Sequence, residues 1–203
     1  MDRRDAVKAM TLGAVGAGYA VPGPLLEEFL RALEKGSYQA RFFGAAELET
    51  MRLLADMIIP RDERSGSATD AGTVEYVDFV LSASDEEARG RFRRGLEWLD
   101  REARERDGSP DFVNARAETR AAILDLVAWP ARAEPRYADQ VAWFNRARDL
   151  VGSGFFSSRM GVEDLRFVGG TVNPVWTGAP PEALAELGLD GYEAWDRRYG
   201  APS

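Results

Sequence analysis

Asp and Glu supply nearly all the acid–base capacity of this chain: 34 acidic residues stand beside 26 Lys and Arg, with no histidine and no cysteine. That inventory removes imidazole catalysis, a thiolate nucleophile, thiolate-bound zinc or iron–sulfur clusters, histidine-ligated haem and any disulfide framework within this polypeptide. A carboxylate-only site survives, in which two acids at a suitable separation perform hydrolysis or hold calcium. The clusters Asp62-Glu63 and Asp85-Glu86-Glu87 fall where loop solvation and helix capping already account for them, and neither follows calcium-loop spacing. Gly66 and Gly72 open no nucleotide fingerprint in a strand–loop–helix setting, so their expected role is to turn the chain.

The formal net charge is −8, and the averaged field of such a chain gives no help to DNA or RNA. Nucleic acid is not an expected partner. Arg91, Arg93 and Arg94 are followed by Glu97, Asp100 and Glu102, which reads as a solvated helix face. With 45% apolar and 30% charged residues in 203, the composition is that of one globular domain.

At the start, Arg3, Arg4 and Lys8 precede a Gly/Ala-rich apolar stretch from Ala9 to Val21 and a Pro22-Gly23-Pro24 break. The stretch is shorter than the roughly 20 apolar residues of a membrane span. Paired arginines in this position resemble a twin-arginine leader, the type that exports folded proteins. Residues 1–20 are therefore expected to be a signal segment, with 21–203 as the domain; an ordinary amphipathic terminal helix is the competing reading.

Apolar spacing beyond the leader is helical throughout. Residues 25–36 carry Leu25, Leu26, Phe29, Leu30 and Leu33 before a Lys35-Gly36 stop, and 46–59 place Leu48, Met51, Leu54, Ala55 and Ile58 on one face before Pro60. An exposed connection follows from Arg61 to Gly72. Residues 73–82 repeat through Val74, Val77, Val80 and Leu81, with Glu75 and Asp78 at solvent-compatible positions. Ser84 and Glu87 have capping-box spacing for the longest helix. Its buried stripe is Phe92, Leu96, Leu99 and Ala103, and its wet face carries the four-apart pairs Glu87/Arg91, Glu97/Arg101, Asp100/Arg104 and Glu102/Arg106. Asp107-Gly108 stops it, and Ser109-Pro110 offers a cap and first residue for the next segment. Helices are expected at roughly 116–129 and 136–151, with Gly152-Ser153-Gly154 breaking the period before Phe155-Phe156. The remainder reads as loop except for a compact helix over Pro180–Gly188. The expected fold is all-α, a single irregular helical domain with a long loop-rich C-terminal segment.

Several motifs recur in a telling order. They are Phe42 with Glu47 and Glu49, Leu53-Leu54-Ala55-Asp56-Met57-Ile58-Ile59-Pro60, and Ala71-Gly72-Thr73-Val74-Glu75-Tyr76-Val77-Asp78. Then come Gly154-Phe155-Phe156-Ser157-Ser158, Gly161-Val162-Glu163-Asp164-Leu165, Gly169-Gly170, Asn173-Pro174, Trp176 and Gly178. From about residue 42 to 191 the chain resembles the gluconate 2-dehydrogenase subunit 3 family. The resemblance implies the small subunit of a periplasmic or membrane-associated sugar or polyol dehydrogenase. Its partner would be a larger FAD-containing protein similar to the glucose–methanol–choline oxidoreductases, with a multihaem cytochrome c in some complexes. It further implies a part in maturation and export of that flavoprotein, which fits Arg3-Arg4. FAD and electron transfer then reside on partners, and no cofactor, metal or catalytic residue is expected in this chain.

For such a partner, Phe155, Phe156, Phe167, Val175 and Trp176 are the candidate contacts. Asn173 would bond the partner's backbone or its own turn, and Pro174 would shape the loop. Internal packing is the competing role for each aromatic. A standalone exported binding module and a carboxylate enzyme are the alternative functions.

Overall fold

A computed structural model describes residues 23–167 and 181–188, and the chain divides into two compact units, Met1–Phe167 and Val168–Ser203. The described residues are all-α, with no strand among them. In the first unit the helices are α1 (Gly23–Glu34), α2 (Ala45–Ile58), α3 (Thr73–Ser82), α4 (Glu86–Asp107), α5 (Ala117–Asp125), α6 (Ala138–Ser157) and α7 (Arg159–Asp164), with a 3₁₀ turn over Pro135–Tyr137. In the second unit, α8 (Pro181–Glu186) begins on proline and closes through Gly188 at φ 66°, a left-handed conformation that glycine adopts without a Cβ penalty.

Helix α3 is the centre of the first unit. Every residue from Thr73 to Leu81 except Glu75 is buried, the pattern of a helix surrounded by others rather than lying on a surface. Helices α2, α4 and α6 pack around it, and α5 packs on α4. The interior joins Met51 and Leu54 of α2, Val74 and Val77 of α3, Leu99 of α4, Ile123 of α5 and Ala147 and Val151 of α6. Helix α1 adds Leu26 and Phe29, and the Phe29 ring stacks on Phe79 of α3 at 4.3 Å.

Two glycines set the helix approaches. A Cβ on Gly95 of α4 would fall inside the Trp143 indole of α6, and one on Gly154 of α6 would lie 2.8 Å from the Tyr76 ring and 3.0 Å from Thr73 Cγ2 on α3. Gly154 therefore does not break α6, contrary to the sequence expectation. The helix runs through Gly152-Ser153-Gly154 to Ser157, because close packing on α3 outweighs the low helix propensity of glycine.

Other boundaries differ for reasons of capping. Asp85, not Ser84, caps α4, accepting from Ala88 N at 2.7 Å, while buried Ser84 donates to the Val80 carbonyl of the preceding turn. Ser109-Pro110 begins no helix; α5 starts at Ala117, and the intervening turn is held by Asp100 accepting from Phe112 N and Asp107 accepting from Arg116 N. Asp100 thus serves a loop amide and Arg104 donates to the Pro110 carbonyl, so the expected pair between them does not form. The pairs Glu87/Arg91 and Glu102/Arg106 do form. Helix α5 ends at Asp125, four residues short of expectation, in tight turns from Val127 and Ala128 to the Leu124 carbonyl ahead of Pro130.

Candidate functional site

The largest departure from expectation is Asp78, which was placed at the solvent face of its helix and is fully buried. Its Oδ2 accepts from Tyr38 Oη at 2.7 Å and from Arg41 N at 2.7 Å, while Oδ1 accepts from Phe42 N at 3.0 Å and Phe43 N at 2.7 Å. A carboxylate collects these donors because successive amides of a non-helical strap have no backbone partner of their own. Burial, and then the bond to Asp78, push the Tyr38 phenol well above its ordinary range. The strap also meets α4: Arg93 donates to the Phe42 carbonyl at 2.8 Å and sits 4.5 Å above the Phe42 ring, with Glu47 as its ion-pair partner. Arg93 is therefore a packing and bridging residue and not part of a merely solvated face.

Several other acids in and around the motifs are also engaged locally, although a buried Oε2 of Glu75 has no hydrogen-bond partner among the described residues. Glu47 reaches back to Gly44 N at 2.8 Å and Asp56 accepts from Thr69 N at 2.8 Å. Asp62 accepts from Arg64 N and Ser65 N, which hold its carboxyl below the usual range. Asp70 is held low chiefly by the Ser67 amide and is ion-paired to Arg61. An open groove of about 360 Å³ lies between this loop and α7, lined by Asp70, Ala71, Ser158, Arg159, Met160 and Glu163. Its charges pair locally, Asp70 with Arg61 and Arg159 with Glu163. Among the described residues no group of three or more acids is arranged to hold a metal ion.

Three of the exposed large apolar residues, Phe156, Leu165 and Phe167, belong to the end of α6 and the end of α7, while Leu25, Trp129 and Leu187 are exposed elsewhere. Ser158 caps α7 by accepting from Gly161 N, and Gly161 lies so close to Phe155 and Phe156 that a Cβ there would strike their backbone. Phe155 is buried at 1% exposure, while Phe156 is 43% exposed, Leu165 56% and Phe167 49%. Trp129, on the connection after α5, is 57% exposed with Arg132 over its ring. The structure thus separates the Phe155-Phe156 pair, placing the first inside and the second at the surface. Arg3, Arg4, Lys8, Asn173, Pro174, Val175 and Trp176 lie outside the described residues. Sequence reasoning missed Leu165 and Arg166. The available signal was a helix ending in Leu-Arg-Phe with no glycine to close it.

Small helical domains with an exposed apolar corner serve many roles, and the fold alone does not choose among them. Residues 45–169, more than half of the chain, match the family model described as gluconate 2-dehydrogenase subunit 3, and the chain belongs to that family. No curated protein and no solved structure gives a match. The match begins at the first residue of α2 and ends just beyond the α6–α7 corner. Asn173-Pro174 and Trp176, part of the sequence resemblance, lie past its end, and the strap at 38–43 precedes its start. Membership in a family named for a dehydrogenase's third subunit supports an accessory role.

Proposed function

We propose that this chain is the non-catalytic small subunit of an exported FAD-dependent dehydrogenase acting on a sugar, polyol or glycoside. The large subunit, of the glucose–methanol–choline type, carries the flavin and the substrate; a cytochrome c accompanies some complexes of this kind. The small subunit stabilises the flavoprotein, assists its maturation and escorts it through a twin-arginine pathway. The family match over 45–169 carries this reading. The residue inventory fits it, since a chain without histidine or cysteine has no imidazole or thiolate to ligate haem or an iron–sulfur cluster, and the redox cofactors can reside on partners. The local engagement of Asp56, Asp62, Asp70 and Asp78 weighs against a carboxylate enzyme. No helix among the described residues is long and apolar enough to cross a membrane, which fits a subunit held at any membrane through its partners.

The export arm is tested by changing Arg3 and Arg4 together to lysine, which keeps the charge but removes the paired guanidinium groups. Cells expressing both subunits are fractionated, and each subunit and bound FAD are measured in cytoplasm and periplasm. The expected result is loss of both subunits from the periplasm with a flavin-loaded complex retained inside. Unchanged export of both would remove the escort role.

A further inference from the structure

Helix α7 closes with two bonds, Phe167 N to the Val162 carbonyl at 3.1 Å and Arg166 N to the Glu163 carbonyl at 3.0 Å. This is the Schellman arrangement, whose residue before last adopts the left-handed conformation and is most often glycine. Here that residue is Arg166, at φ 51°, the one non-glycine residue with positive φ among those described. Gly36, Gly72, Gly108 and Gly188 occupy the comparable conformations elsewhere. An arginine at such a position carries steric strain that glycine would not, and among the described residues its guanidinium makes no hydrogen bond or ion pair. On either side of it stand Leu165 and Phe167, both about half exposed. Leu165 lies one turn beyond Gly161, the residue that abuts Phe156. A strained cation is thus flanked in sequence by two half-exposed apolar residues, and the helix that carries it approaches the backbone of the exposed Phe156 through Gly161.

We propose that Phe156, Leu165, Arg166 and Phe167 form the surface on which the large subunit docks, with the Arg166 guanidinium paired to a carboxylate that the large subunit presents beside an apolar pocket. The proposal rests on the small-subunit reading above. Charge decides the occupant. A second copy of this chain, meeting the corner by two-fold symmetry, would bring together two chains that each carry a net charge of −8. An anionic bilayer would face a chain of net charge −8. A protein face that supplies a carboxylate satisfies the guanidinium's fork of donors and buries the flanking side chains together, the combination of arginine and aromatic anchors that dominates interface energetics.

The corner makes a prediction of opposite signs, because Arg166→Gly relieves the backbone and deletes the contact. The full-length chain is tagged in its native host, and the flavin-containing large subunit that co-purifies is separated and titrated onto each full-length variant. For Arg166→Gly the expected result is a dissociation constant raised tenfold or more, with a melting temperature raised by about 2–4 °C. Arg166→Lys, which keeps charge and strain but lacks the planar fork, should lose less affinity. Paired Leu165→Ser and Phe167→Ser should also weaken binding tenfold or more with the helical signal intact, while Trp129→Ser, off this corner, should leave it unchanged. Wild-type affinity in Arg166→Gly would overturn the docking surface while leaving the small-subunit reading in place. A lower melting temperature in that variant would overturn it too, assigning Arg166 to the fold. Concentration-dependent dimers of the wild type that Arg166→Gly abolishes would give the corner to self-association and overturn it. Failure of any flavin-containing subunit to co-purify would overturn both readings.

Discussion

Four donors converge on the Asp78 carboxylate, and a carboxamide cannot accept all of them. Asparagine offers one acceptor oxygen and a donating nitrogen, so serving Phe42 N and Phe43 N would turn its NH₂ toward Tyr38 Oη and Arg41 N. Each buried donor left unpaired costs about 1–3 kcal/mol. Tyr38 Oη can rotate to accept from that NH₂, which leaves the part-buried Arg41 N as the donor without a partner. Asp78→Asn should therefore lose roughly 1–3 kcal/mol of unfolding free energy in a urea titration; a wild-type midpoint and slope would return Asp78 to the solvent face where the sequence placed it. Tyr38 adds a pH signature. A phenol whose folded-state pKa lies above its unfolded value near 10 contributes its stability in full below about pH 10 and loses it as pH rises toward the folded pKa. Unfolding free energy should decline above pH 10, and less steeply in Tyr38→Phe. Some decline should persist, since burial also raises Tyr76. Periodicity could not reveal Asp78, because an acid among Val74, Val77 and Leu81 looks the same whether it faces water or a strap 35 to 40 residues away in sequence.

Among the elements, α6 separates two meanings of glycine. Nothing lies within 4 Å of a Cβ built on Gly152, while one on Gly154 would press on Tyr76 and Thr73 of α3. Gly152→Ala should stabilise by up to about 1 kcal/mol through helix propensity, and Gly154→Ala should destabilise by about 1–3 kcal/mol through overpacking. Thermal melts of the two single variants check the pair; equal signs would mean that the segment is the break read from sequence. The helices themselves were largely legible: α3 spans the expected 73–82, and α1, α2 and the core of α4 fall within two residues of expectation, because their apolar stripes, Gly36, Pro60 and Gly108 act locally. Two of the errors fall where contacts from beyond the helix decide, at Gly154 against α3 and at Asp100 and Asp107 holding the turn before α5, while Asp85 in place of Ser84 is a choice between neighbouring local caps. The α6–α7 corner was half legible. Phe155 and Phe156 are adjacent in sequence and indistinguishable by type; because α6 runs on through them, Phe155 continues the buried stripe of Phe144, Ala147 and Val151 and Phe156 falls off it.

For the whole molecule, the composition that excluded imidazole and thiol chemistry also shapes its pH response. No side chain present has an ordinary pKa between about 5 and 8. Asp62, Asp70 and Asp107 have carboxyls held below the usual range, Asp107 mainly by the Ser109 and Thr119 side chains. Such groups contribute stability above their unfolded pKa near 4 and lose it as pH falls through the folded value. The unfolding free energy should be level from about pH 5 to 8 and fall below about pH 4, with a shallower acid limb in Asp107→Asn; a sharp transition near pH 6.5 would contradict the charge inventory. The family was readable from the order of motifs around Phe42, Asp56, Asp78 and Gly161, whose local roles the structure supplies.

The central claim, that this chain serves a flavoprotein and holds no redox centre of its own, is met most directly by one purification. The full-length chain is tagged and recovered from its native host under gentle conditions, and its partners and flavin are quantified before and after the complex is separated. The account predicts a large subunit in fixed stoichiometry carrying all the FAD and all the sugar- or polyol-dependent dye reduction, with the separated small chain retaining neither. Stoichiometric flavin or turnover on the separated small chain, or its recovery without any flavin-containing partner, would contradict it.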